Sequence, residues 1–108
     1  MNKLSELATY LADTRKTFDL FERGEAAYKC GVTEMTVRNF ESGATVNTTV
    51  LVYYLKRVFE FYQNGGRYEQ SDEYADLIDT DPAEAEALRH CYSMQGFAEA
   101  VNIFKESD

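Results

Sequence analysis

RGEAAYKCGVTEMTVRNFESG, residues 23–43, is the stretch on which the reading of this chain turns. Ala27 stands four residues before Gly31, and Val32, Thr33, Val37 and Phe40 follow. Ala27 is small where one helix must cross over another. Gly31 ends the first helix, where a left-handed backbone is wanted. Val32 plugs the turn into the core, and Thr33 caps the second helix through its hydroxyl. Val37 and Phe40, three apart, share the face that points inward. Glu34, Met35, Thr36, Arg38 and Asn39 are left facing outward. This is the spacing of a helix-turn-helix, the unit that sets a short helix into the DNA major groove.

Helical periodicity extends the pattern on both sides. Leu4, Leu7, Ala8 and Leu11 predict a first helix over 3–16. The second spans 22–30 and the third 33–41. Thr49 is the expected cap of a fourth helix, along which Val50, Tyr53, Tyr54, Arg57, Val58 and Phe61 line up. Asn64-Gly65-Gly66 stops it. The boundary placed there gives a region 1–64 and a second region 67–108. In the latter, Ser71-Asp72-Glu73 opens a short helix, and Asp81-Pro82 is a strong helix start. Residues 82–95 and 97–106 then form a helical pair broken at Gly96. The spacing of Leu88, Tyr92, Gly96, Ala100 and Phe104 faintly resembles one tetratricopeptide unit. A solenoid needs about three such units, so an ordinary hairpin is expected. That hairpin is too small to form its own core. Its apolar stripe, Leu88, Tyr92, Val101 and Phe104, is therefore expected to serve dimerisation.

The series Ala27, Gly31, Val32-Thr33, Val37, Phe40, Glu41-Ser42-Gly43 resembles the Cro-type, or xenobiotic-response-element, repressors of phages and bacteria. The resemblance continues into Asn47-Thr48-Thr49-Val50, where that family often has Asn-Pro-Ser-Leu, and covers about residues 4–62 by analogy. It implies an all-α, lambda-repressor-like bundle, double-stranded DNA as partner, and a palindromic operator bound by a homodimer. The expected DNA-facing set is Arg23, Thr33, Glu34, Met35, Thr36, Arg38, Asn39 and Ser42. Asn39 suits adenine, Glu34 a cytosine amino group, Met35 a thymine methyl, and Arg38 guanine or phosphate. Arg23 begins the helix that crosses the backbone and is expected on a phosphate. The chain departs from the family at this end. Arg23 replaces the usual Gln, Glu22 replaces a Ser or Thr cap, and Gly24 costs roughly 1 kcal/mol relative to Ala. The stretch from Leu11 to Gly31 is also one residue longer than usual, which predicts an irregular approach to the second helix.

Composition bounds the rest. Of 108 residues, 44% are apolar and 14% aromatic, which supports a folded core. No run approaches the ~18 apolar residues of a membrane span. No basic-then-apolar leader opens the chain, so a cytoplasmic protein is expected. Cys30 reads as a small buried hydrophobe, and a disulfide with Cys91 is not expected. His90 and Cys91 have no partner pair at metal-ligand spacing, and the acids from Glu69 to Glu86 lack a calcium-loop pattern. No metal or cofactor is expected, and no nucleophile–base constellation suggests an enzyme. Tyr53, Tyr54, Phe59, Phe61 and Tyr62 fit core or interface better than base stacking.

The net charge of −8 is unevenly placed. Residues 1–62 carry eight bases and eight acids, whereas 63–108 carry three bases and eleven acids. The whole excess lies in the second half. A neutral reading head predicts weak non-specific DNA binding, because its phosphate attraction is small. The alternative function is that of a small acidic phage-borne protein. It would inhibit a host nucleic-acid-binding defence protein, a basic partner, and autoregulate through its helix-turn-helix.

Overall fold

A computed structural model describes residues 3–106. Among these there are seven α-helices, one 3-10 turn and no strand. The helices are α1 (Lys3–Phe18), α2 (Arg23–Cys30), α3 (Glu34–Glu41), α4 (Thr48–Gln63), α5 (Asp72–Thr80), α6 (Pro82–Cys91) and α7 (Met94–Glu106). The 3-10 turn spans Tyr68–Gln70. No helix among the described residues is long and apolar enough to cross a membrane.

The turn, cap and buried face expected within residues 23–43 all form. Gly31 is left-handed, with φ +69°. Thr33 caps α3, its hydroxyl accepting from the Thr36 amide at 3.3 Å. Val37 and Phe40 are wholly buried. They pack with Leu7, Leu11, Ala26, Ala27, Val50, Tyr54 and Val58 in one cluster drawn from α1 to α4. Val32 and Cys30 are half-buried against that cluster, so Cys30 is less enclosed than expected.

The approach to α2 is irregular, as the extra residue implied. Asp19 turns the chain with φ +50°. Phe21 then plugs the core. Glu22 precedes α2 in extended conformation without a side-chain cap. Two arginines tie this connection down instead: Arg15 Nη1 donates to the Phe21 carbonyl at 2.9 Å, and Arg57 Nη2 to the Leu20 carbonyl at 3.1 Å. Buried loop carbonyls need such donors, because no helix or sheet ladder satisfies them.

Two expectations are corrected. Asn47, not Thr49, caps α4, its side chain accepting from the Val50 amide at 3.1 Å. The C-terminal helices are broken at Tyr92–Ser93 and not at Gly96, which lies inside the first turn of α7. Ser93 caps that turn by accepting from the Gly96 amide at 3.1 Å. Gly96 is required by close approach: a Cβ there would lie 2.2 Å from the Cys91 carbonyl oxygen. The apolar stripe of the hairpin is half-buried within the chain. Val101 and Phe104 pack against the same cluster as α1 and α4, and Phe97 is buried within it. Tyr92 stacks on Tyr10 and meets Phe18 and Tyr68 edge-on or tilted. Leu88 is half-buried. The stripe is covered largely by the chain itself, because α7 lies on α1 and α4. Asn64-Gly65-Gly66 does stop α4, with Gly65 at φ +90°, but the chain beyond it returns to the shared core.

Candidate nucleic-acid interface

The second helix of the helix-turn-helix, α3, has two sharply different sides. Val37, Phe40 and Glu41 are buried. Glu34, Met35, Arg38 and Asn39 are exposed, Met35 to 59%. The side chains of Arg38 and Asn39 make no hydrogen bond or ion pair with any described residue. The three hydroxyls of the expected set do local work. Thr33 and Thr36 pair at 3.2 Å at the start of α3. Ser42 donates to the Asn39 carbonyl at 3.1 Å at its end. Thr36 is half-buried, whereas Thr33 and Ser42 are exposed.

Glu34 folds back toward the first turn of α2. A Cβ at Gly24 would lie 3.2 Å from Glu34 Oε1. Glycine at that position therefore leaves room for the carboxylate. The first turn of a helix carries free amides and a partial positive charge. Glu34 thus sits near a place that also suits a phosphate.

Behind the exposed face lies a buried charge cluster that sequence reading missed. Glu41, in the last turn of α3, accepts four hydrogen bonds. Arg15 of α1 donates from Nε to Oε2 at 2.6 Å and from Nη2 to Oε1 at 3.2 Å. Arg23 of α2 donates from Nε to Oε1 at 2.9 Å. The Tyr54 hydroxyl of α4 donates to Oε2 at 2.5 Å. One carboxylate thereby joins all four helices. Burial alone would raise the Glu41 carboxyl; the hydrogen bonds from Arg15, Tyr54 and Arg23 and the Arg15 charge outweigh it and hold it below the usual range. Burial and the hydrogen bond to Glu41 push the Tyr54 phenol far up, so it stays a donor. A signal was present in the sequence. Glu41 is four residues after Val37, Arg15 four after Leu11, and Tyr54 four after Val50. Opposite charges that continue apolar faces mark a buried pair.

Arg23 belongs to both sides. Its side chain is 38% exposed, while that of Glu41 is 5% exposed. Only its Nε is engaged, and Nη1 and Nη2 have no partner among the described residues. With two guanidinium groups and one carboxylate, the cluster carries one net positive charge next to the exposed face of α3.

A second ion pair steadies α2. Arg57 of α4 donates to Glu25 Oε2 at 2.8 Å and lies 4.7 Å above the Phe21 ring centroid. Arg57 thus pairs across helices instead of extending the apolar line of α4. In the second half, His90 Nε2 lies 3.3 Å from Glu99 Oε2, and the Cys91 carbonyl accepts from the Tyr10 hydroxyl at 2.9 Å.

The site thus defines a helical bundle that presents one short polar helix on a scaffold cross-linked by buried charge. No protein-family model, curated protein or solved structure matches the chain.

Proposed function

We propose that this protein is a sequence-specific DNA-binding regulator, a repressor that reads a palindromic operator as a dimer through α3. One observation carries the reading: α3 buries Val37, Phe40 and Glu41 yet leaves Glu34, Met35, Arg38 and Asn39 exposed, with Arg38 and Asn39 unpartnered among the described residues. A helix held that firmly, with polar groups suited to base edges on its free side, fits major-groove readout. Arg23 supplies a phosphate contact at the start of α2. The pairing of two copies follows from operator geometry, since a palindromic site presents two equivalent half-sites. The test is selection from a random duplex pool with the full chain. An enriched inverted repeat is expected. Recovery of unenriched sequence, or of a motif unchanged by Asn39→Ala, would sink the proposal.

A second reading has its own observation. Helix α5 buries no residue, and Asp72, Glu73, Asp76 and Asp79 along it are exposed. That surface suits a basic partner, such as a nucleic-acid-binding defence protein inhibited by charge imitation. Competition between the full chain and nucleic acid for such a partner, abolished by neutralising Asp76, Asp79 and Asp81, is the expected result under this reading.

A further inference from the structure

The geometry points to Glu41 as a positioning residue that aims Arg23 at a DNA backbone phosphate and ties that contact to the reading helix; this rests on the DNA-reading proposal. Glu41 ends α3, and Arg23 begins α2. The carboxylate that anchors α3 to Arg15 and Tyr54 also takes the Arg23 Nε at 2.9 Å. A guanidinium is a rigid planar fork. Holding it by Nε fixes the plane and leaves the terminal pair, Nη1 and Nη2, to meet a phosphate with two parallel bonds. The order from solvent inward is then phosphate, Arg23, Glu41, Arg15. Glu41 is nearly sealed from water, so it acts on DNA only through Arg23. The helix that reads bases and the arginine that sets register on the backbone share one anchor and move as one body.

This arrangement makes a prediction opposite in sign to simple charge counting. Glu41 is a negative charge close to the phosphate site. If it acted only as charge, Glu41→Gln would strengthen DNA binding. If it positions Arg23, the same change weakens it. The experiment titrates the full chain against a labelled random-sequence duplex pool by fluorescence anisotropy, over a salt series. Arg23→Ala is expected to lower the salt slope by about one ion. Glu41→Gln should lower it similarly and weaken binding by about tenfold, the size of one charge-assisted contact. Arg23→Ala added to Glu41→Gln should cost nothing further. Arg23→Lys keeps the charge, but its single nitrogen cannot hold Glu41 by one edge and a phosphate by another, so a loss near that of Arg23→Ala is expected. In the free protein, the Arg23 Nε proton should exchange slowly with solvent, and fast in Glu41→Gln. Tighter binding by Glu41→Gln, or Arg23→Lys behaving as wild type, overturns the positioning role alone. A wild-type chain that binds no duplex at low salt overturns the DNA reading and this inference with it. If Glu41→Gln fails to fold, Arg23→Lys, a change at a half-exposed site, decides the matter.

Discussion

In α1–α4, the charged side chains Arg15, Arg23, Glu25, Glu41 and Arg57 are drawn into ion pairs between helices. In α5 and α6, Asp72, Glu73, Asp76, Asp79 and Glu84 all face solvent. The burial differs in the same way. The first region places residues of every helix in the core, whereas α5 contributes none and α6 only Ala85. Helix α7 belongs physically with the first region, since Phe97, Val101 and Phe104 pack into it. The chemical divide and the packing divide therefore fall in different places. The acidic surface is carried by α5 and α6, while the fold is closed by α7. A rigid head needs buried cross-links, and an acidic surface needs only to be displayed.

The largest expected effect tests whether α7 is part of the head. Phe97→Ala should cost about 3–5 kcal/mol in urea unfolding, the usual range for a buried phenylalanine. The wild-type chain should unfold in one transition seen alike by circular dichroism and tyrosine fluorescence. A mutant loss below about 1 kcal/mol, together with two separate transitions, would restore an independent C-terminal unit.

Of similar size is the buried cluster. Arg15→Ala should cost about 3–5 kcal/mol, because Glu41 would be left charged and under-satisfied out of water. The same cluster gives a pH dependence. The folded Glu41 carboxyl is held below the ordinary value, so its stabilisation is fully present above the unfolded value of about 4.3. It is lost as pH falls through the lower folded value. Acid melting curves should therefore be shallower for Glu41→Gln than for the wild type, and identical slopes would remove Glu41 from the acid response.

Asn39→Ala sharpens the contrast between reading and scaffold. It should leave the melting temperature unchanged, yet cost about 1–3 kcal/mol of discrimination at one base pair of a selected site. A uniform loss across all sequences would instead make Asn39 a backbone contact.

The smallest effect belongs to the acidic side. Ser71 caps α5 by accepting from the Tyr74 amide at 3.2 Å. Ser71→Ala should cost about 1 kcal/mol at most, with faster amide exchange confined to α5. Spread of that exchange into α1–α4 would show that α5 is coupled to the head after all.

Local sterics and spacing made much of this molecule readable in advance. Gly31 must take positive φ to end a helix before a tight turn. Thr33 follows as a cap because its hydroxyl reaches the Thr36 amide in the first turn. Val37 and Phe40 share a face because helical geometry puts them there. The division of charge between the halves is likewise a property of composition. The choice of cap for α4 was not local. Asn47 and Thr49 are both polar candidates, and only the observed start of α4 at Thr48 makes Asn47 the cap. Periodicity shows that Leu88, Tyr92, Val101 and Phe104 are apolar on one side, but an apolar face carries no address. Burial is non-directional, so only the return of α7 onto α1 and α4 decided that most of this face is covered within the chain. Glu41 follows the same logic: its position on the buried face of α3 was legible, whereas the meeting of Arg15, Arg23 and Tyr54 on one carboxylate required four helices to converge.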